Sequence, residues 1–465
     1  MRTLVITVAL LSSCVSCFGQ GHFHFAGPLS QFLAEGAAPG AVTGGLPFAV
    51  VLSEGGATIA PTTFTLQSEG WEGEATLTLE NAQFANGRLT ATVRLSNGTP
   101  SVLAGVRLDV TGATEEYKAK DDQGNDLLKT RAQAVGIASP LLFGDVAEHD
   151  DADPQPLEAG ALAFQPETTR VMVSGLLSGL YLAGGISTPI AGGKVLSLDF
   201  DPQGRLYMAV LRQKDVYRCD ADGQNMVAVA SFPQILAHIA IDPANGDILG
   251  TSHDIFRFSA DGADQGRVPP PGAPTADRVR GFAGVLRFDH DGKLYVADDN
   301  TLACYVANRR LWAADRLGAY RFHSPLFFDV DGEGNCWIGE PVEDALYRVG
   351  PAGAEGKRLA TGPDWHLGGI TNPRAVRADA HGNVYLIEHA NTQKGLEEVQ
   401  RISVFDREGR IVRVFGRGDR SPAEEGKLKE GQVAGIANDL AFGPDGRVYI
   451  ANTNGDPQIL VFRPF

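Results

Sequence analysis

Six stretches of one short pattern recur along this chain. They read FDPQGRLYMA (200–209), IDPANGDILG (241–250), FDHDGKLYVA (288–297), VDGEGNCWIG (330–339), ADAHGNVYLI (378–387) and FGPDGRVYIA (442–451). Each is an apolar strand end, an acidic or Gly/Pro turn closing on Gly, and a second strand with alternating apolar residues. A repeat this short cannot bury its own apolar face, so successive copies must stack. The gaps separating the first five turn glycines (Gly204, Gly246, Gly292, Gly334 and Gly382) are each about 40–50 residues, one propeller blade. The gap to the sixth, Gly446, is longer and carries two polar inserts, around 390–399 and 416–433.

Five copies continue into a recognisable third strand: DVYRCDADG (215–223), DIFRFSADG (254–262), ALYRVGPAG (345–353), RISVFDREG (401–409) and QILVFRPF (458–465). Copy three, TLACYVANRR (301–310), departs from the pattern. Copy six stops inside its third strand and lacks an outer one. GLYLAG (179–184), just ahead of copy one, is the segment that can supply it, closing the ring and removing an open edge.

Residues 22–176 contain no copy of the repeat. They hold period-two runs, ATLTLENAQF (75–84), LTATVRLSN (89–97), VLAGVRLDVTG (102–112) and TTRVMVSGLL (168–177), with Asn86-Gly87 and Asn97-Gly98 as turn signals. Short alternating strands so spaced predict an Ig-like β-sandwich. The acidic stretch 145–156 reads as a solvated loop within it, where Asp150, Asp151 and Asp153 are a candidate Ca²⁺ cluster. The predicted architecture is therefore all-β: an Ig-like sandwich over 22–176, then a six-bladed β-propeller over 178–465.

Residues 1–20 read as an export signal, with Arg2, a short apolar run from Leu4 to Leu11, and small residues after it. Cleavage near Gln20 gives a secreted or periplasmic protein. Leu11-Ser12-Ser13-Cys14 also reads as a lipobox, which would place a lipid anchor on Cys14 and the protein at the cell envelope. The apolar run is too short for a membrane span, which needs ~20 residues. Cys219, Cys304 and Cys336 are an odd set without short spacings, so they read as buried free thiols rather than a disulfide or zinc framework. The formal charge of −16 and the lack of a basic patch argue against nucleic acid as a partner.

The segment GIANDLAFGPDGRVYIANTNGDPQILVF (435–462) resembles an NHL repeat, and the region 195–465 is similar to the six-bladed NHL/TolB-like propeller group. That resemblance implies a propeller fold used by binding scaffolds and by several enzyme families. Asn438-Asp439-Leu440, with Ala441-Phe442 and a Pro-Asp-Gly turn, further resembles the Asn-bearing segment of gluconolactonase-like propellers. Their channel holds a divalent cation that would polarise a lactone carbonyl and activate water. Of that family's ligands only Asn438 carries over. The equivalent positions in the other blades are Leu196, Ala237, Gly284, Leu326 and Arg374.

In a blade, the Gly turns lie on one face, and the loops leading into strand one and joining strands two and three lie on the other. The second face gathers the candidate ligand-binding set. Asp299 comes from blade three, with Asp298 and Asn300 beside it, and Glu340 from blade four. Blade five adds Glu388, His389 and Asn391, and the segments leading into strand one add His238, Asn372, Arg374 and Asn438. Carboxylates, amides and imidazoles of this mix suit a divalent cation, Ca²⁺ or Mg²⁺, or a polar ligand. Arg374 opposes a cation and could pair with Glu388 instead. One histidine at a leading position, His238, falls short of a three-histidine zinc set. Asp329 to Glu340 imitates an EF-hand loop. Its second half aligns with strand two, however, and an extended chain rising ~3.3 Å per residue carries Glu340 away from the turn. Arg417-Gly418-Asp419 reads as a solvated loop triplet. Tyr207, Tyr295, Trp337, Tyr385 and Tyr449 share one strand-two position and read as packing between blades.

The predicted function is non-catalytic binding of a protein or polysaccharide ligand at the channel face, at the cell envelope, with a divalent cation, Ca²⁺ or Mg²⁺, as the one cofactor the residues suggest. The alternative is a metal-dependent lactonase-type hydrolase.

Overall fold

A computed structural model describes residues 46–464 except 54–61, 69–70, 86–87, 102, 121–122, 135–140, 147–149, 152–154, 159–167, 189, 191–192, 252–253, 269–282, 299, 318–319, 324–326, 352–355, 362–369, 371, 390–399, 417–436 and 453–456. The export signal, Cys14, Asp299, Asn391 and the Arg417–Asp419 triplet lie outside the described residues. The chain divides into two compact units, Met1–Ala183 with Pro464–Phe465, and Gly184–Arg463.

The first unit contains two antiparallel sheets. One pairs Leu46–Ser53, Thr168–Ile186, Leu103–Lys120 and Asp126–Ala134 in that order, with Leu141–Val146 also on Leu103–Lys120. The other runs Thr62–Ser68, Trp71–Ala85 and Arg88–Asn97. The described residues of every alternating run singled out in the sequence lie within one of these strands. Burial follows period two at Ala75 and Leu77 and at Val93 and Leu95 on one sheet; on the other, Leu103, Ala104, Val106, Leu108 and Leu180 are buried, with a register shift between Leu103 and Val106. The acidic stretch is not all loop. Asp150–Asp151 and Gln155–Glu158 add short strands along the edge of Arg88–Asn97, because edge pairing needs only backbone groups. At Asn97-Gly98, the buried Asn97 accepts the Thr99 amide at 3.0 Å and donates to Ser101 O at 2.8 Å, organising the departing loop.

The second unit is a six-bladed propeller. Its inner strands are Val195–Phe200, His238–Ile241, Ala283–Phe288, Phe327–Val330, Pro373–Ala378 and Ala437–Phe442. Each contacts the next, and the sixth returns to the first. Blades one to five are four-stranded meanders of consecutive strands. Blade six takes Val448–Asn452 and Ile459–Pro464 from the chain's end and borrows its outer strand from Thr168–Ile186, as the missing fourth strand required. Ile186 packs with Ile459 and Val461, and Gln458 Oε1 accepts the Thr188 amide at 2.8 Å.

The repeated turn has a simple physical basis. Asp201, Asp289, Asp331 and Asp379 each accept two backbone amides, two and four residues on, at 2.8–3.0 Å. The closing glycines sit at φ +76° to +82°, which side chains disfavour. Blade six has Gly443 where the others have Asp, and keeps the backbone bond from Gly446 N to Gly443 O at 3.0 Å. Copy three departs because its outer hairpin is a two-residue turn. Val306 pairs with Arg309 around Ala307 and Asn308, both left-handed, as a type I′ turn demands.

The five recurrent aromatics are all buried. Phe200 of blade one meets Tyr449 of blade six edge-on at 4.9 Å, and Tyr385 of blade five meets Phe442 of blade six at 4.8 Å. Shared apolar clusters join neighbouring blades around the ring. Cys219, Cys304 and Cys336 are buried free thiols; burial pushes the Cys219 thiol up to about 12.

Candidate functional site: the channel and its mouth

Inner strands alternate, so every second side chain faces the axis. The last such position holds Asp199, Ala240, Arg287, Asp329, Arg377 and Ala441 in blades one to six; two residues earlier it holds Ser197, His238, Val285, Phe327, Ala375 and Asp439. The charged members form one buried network. Arg287 of blade three reaches across to Asp439 of blade six, Nη2 to Oδ1 at 3.2 Å. Arg377 of blade five meets the same oxygen through Nε at 3.2 Å and donates through Nη2 to Leu198 O of blade one at 2.5 Å. Asp439 also accepts Ser197 Oγ at 2.9 Å and Leu198 N at 3.1 Å. Arg287 Nε lies 3.4 Å from Asp329, and Arg377 Nη1 lies 4.0 Å from Asp199.

The carboxylates also join blades through backbone. Asp199 accepts Ile241 N of blade two, and Asp329 accepts Ala378 N of blade five, both at 2.8 Å. Burial opposes the charge on Asp439, but Arg377 and Arg287 outweigh it and hold the carboxyl below the usual range. At this level the axis is occupied by the protein's own ion pairs.

His238 belongs to this network and not to the mouth. It is buried, and Arg287 Nη1 donates to its Nε2 at 2.7 Å. Burial and then the Arg287 charge lower it to about 3, so the ring is neutral. Its sequence position suggested an exposed ligand; inner-strand alternation turns it inward instead.

Glu388 and Glu340 are likewise fully buried. Glu388 pairs with Arg401 on the adjacent strand, Oε1 to Nε at 3.1 Å and Oε2 to Nη2 at 3.3 Å. The pairing with Arg374 suggested by sequence does not form, because Glu388 faces Arg401 directly in the strand register. Glu340 accepts Glu343 N at 2.6 Å and lies 3.4 Å from His323 Nδ1. Among the described residues, no three His, Cys, Asp or Glu side chains are grouped to hold a metal. A centre built on Glu340, Glu388, His389 and Asn438 is therefore not assembled among them. In the EF-hand-like stretch, Asp331 instead holds its own turn and accepts Trp337 Nε1 at 2.8 Å.

Among the described residues, Arg374, Asn372, His389 and Asn438 of the candidate set lie in blades five and six. The leading positions that align with Asn438 fall at β-bulges in four blades. Strand register shifts at Leu196, at Gly284-Val285, at Arg374 and at Asn438-Asp439. A bulge re-aims its extra residue, here at the point where each inner strand begins. His389 ties the two blades: its amide donates to Asn372 O at 3.2 Å and its Nε2 donates to Ala437 O at 3.3 Å. Burial and the nearby Arg374 charge lower His389 to about 4. Asn372 sits at φ +42°, held by its amide on Asp344 Oδ1 at 2.7 Å. Sequence reading missed Arg287, Arg377, Asp199 and Asp329; their signal was the recurring charged residue one place before the end of strand one.

The two lowered histidines predict an acid-sensitive fold. Their folded values lie below the ordinary 6.5, so as pH falls under 6.5 the unfolded chain takes up protons that the folded chain refuses. Stability is present above 6.5 and lost on the way down, on the order of 2 kcal/mol per histidine by pH 4.5. Asp199 and Asp329, raised by burial, act in the opposite sense and blunt the fall. Urea midpoints at pH 7 and pH 4.5 check this: His238→Gln should show a shallower loss than the parent, and an identical pH dependence refutes it.

No protein-family profile matches the chain, and no curated protein matches it. Solved structures do. A streptogramin B lyase is 13% identical over 62% of this chain and 98% of its own, with a TM-score of 0.43. XC5397 from Xanthomonas campestris, described as a gluconolactonase important in glucose secondary metabolic pathways, is 13% identical over 62% and 90%, with a TM-score of 0.43. A structural-genomics protein of unknown function from Bacteroides thetaiotaomicron is 13% identical over 84% and 98%, with a TM-score of 0.47. None of these likenesses assigns an activity to this chain.

Proposed function

We propose that this protein is an exported, non-catalytic binding propeller that takes a protein or polysaccharide ligand at the cell envelope. The observation that supports this is the state of its carboxylates. Glu388 is paired with Arg401, and Asp439 with Arg287 and Arg377. A hydrolytic metal needs an open set of oxygen or nitrogen ligands with a free position for water or substrate, and buried carboxylates held by guanidinium groups do not offer one. A binder can use the dispersed polar groups of the loop face.

In this reading the two antiparallel sheets of the first unit form an Ig-like sandwich, and residues 1–20 direct export. No helix among the described residues is long and apolar enough to cross a membrane, so attachment to the envelope would rest on the ligand or on a lipidated Cys14.

One experiment separates binder from enzyme. Purified protein is assayed for δ-gluconolactone hydrolysis with Ca²⁺, Mg²⁺, Mn²⁺ and Zn²⁺, and in parallel for retention on immobilised envelope polysaccharide and protein fractions. The binding reading expects retention and only the spontaneous hydrolysis rate. Hydrolysis that EDTA abolishes and Asn438→Ala reduces would overturn it. N-terminal sequencing of protein from its native host tests export; an intact Met1 in the cytosol would refute it.

A further inference from the structure

Arg374 is exposed, and among the described residues no hydrogen bond or ion pair reaches its side chain; partial desolvation by its surroundings lowers its pKa. It is the charged member of the ring of leading positions, whose other described members are Leu196, Ala237, Gly284 and Asn438. The polar members, Arg374 and Asn438, are in neighbouring blades. Among the described residues, the carboxylates of this side of the mouth are otherwise placed: Glu388 on Arg401, Glu340 on Glu343 N and beside His323, and Asp344 on Asn372 N. The side-chain amides of Asn438 and Asn372 also have no partner among the described residues. Because Ala437 O can only accept, His389 Nε2 carries the ring proton, and Nδ1 of the neutral ring is an acceptor with no donor among the described residues.

We infer that this side of the mouth, formed by Arg374, Asn438, Asn372 and the Nδ1 edge of His389, is a subsite for the carboxylate of an acidic polysaccharide. This assignment rests on the binding reading above and gives it a ligand class. A guanidinium fork matches a carboxylate with two parallel hydrogen bonds. One cation suits a monoanion, whereas a phosphate dianion calls for more positive charge than this mouth offers. The amides and the imidazole acceptor need donors and acceptors beside the anion. A uronic acid carries hydroxyls there; an acidic peptide side chain does not and would leave these groups unmatched. The chain's net negative charge does not forbid the site, because charges beyond ~8 Å are largely screened at physiological salt.

The test is affinity electrophoresis of the full chain in gels containing polygalacturonate, its methyl ester, dextran sulfate, polyglutamate or neutral dextran. Polygalacturonate should retard the protein and the methyl ester should not. Arg374→Gln should weaken retardation at least tenfold and Arg374→Lys less, while Arg309→Gln, an exposed arginine on the outer strand of blade three, should leave it unchanged. Circular dichroism and urea midpoints confirm that each variant is folded. Equal retardation by acid and ester, equal loss in Arg374→Gln and Arg309→Gln, preference for polyglutamate or dextran sulfate, or no retardation at all would each overturn the subsite. Retention on neutral dextran alone would overturn the subsite and leave the binding reading standing. Metal-dependent lactone hydrolysis alongside Arg374-dependent retardation would remove the binding reading and leave the subsite.

Discussion

Replacing Asp439 by Ala is expected to destabilise the propeller by about 3–5 kcal/mol, the cost of leaving buried charge uncompensated. Asp439 is 1% exposed and serves blades one, three and five at once, through Leu198 N and Ser197 Oγ, Arg287, and Arg377. Without it, the two guanidinium groups keep their hydrogen bonds to neutral partners, and among the described residues their charge is met by the longer ion pairs to Asp329 and Asp199. Asp439→Asn keeps the shape and some hydrogen bonding but loses the charge, and should cost less than Ala. Asp445→Ala removes an exposed ion pair with Arg447 in the blade-six turn and should cost well under 1 kcal/mol. Urea unfolding of the three variants measures these differences. A loss for Asp439→Ala no greater than for Asp445→Ala would show that the network does not hold the ring.

The second large effect concerns ring closure. Ile459–Pro464 is hydrogen-bonded on one side to Val448–Asn452 and on the other to Thr168–Ile186. Deleting 458–465 removes the strand that joins the two, leaving blade six open and its neighbours' apolar faces uncovered. The whole propeller should then lose its cooperative transition, because each blade is stable only against the next. Phe462→Ala is the milder form. Phe462 is fully buried, with its ring 5.8 Å from Phe415 of blade five, and truncation should cost about 3–5 kcal/mol. A truncated chain with an unchanged unfolding midpoint would refute closure by this strand.

The candidate site divides along a physical line. The leading positions could be aligned blade by blade from sequence, and the structure puts Arg374 and Asn438 at the bulges where the inner strands of blades five and six begin. Which of the named groups are free to act was not legible. Glu388 looks like a ligand until its strand neighbour Arg401 is known, thirteen residues on and beyond a polar insert. His238 looks exposed until the pleat turns it inward. Arg287 and Arg377 read as ordinary charges in apolar strand ends. They find Asp439 at sequence separations of 152 and 62 residues, which no local pattern encodes.

The six-bladed propeller was determined by the sequence alone, because its causes are local and repeated. An Asp that accepts two amides, a glycine at positive φ and a period-two strand specify a hairpin wherever they occur, and six copies specify a ring. The unpaired third strand at the end of the chain even named the segment that closes it. Only the tertiary structure decided the electrostatics. Whether a carboxylate is a ligand or half of an ion pair depends on which side chain stands opposite it across the axis or the sheet. That is set by blade order, strand register and bulges acting together, so acids that read as ligands proved to be paired with arginines, and among the described residues Arg374 has no such pairing.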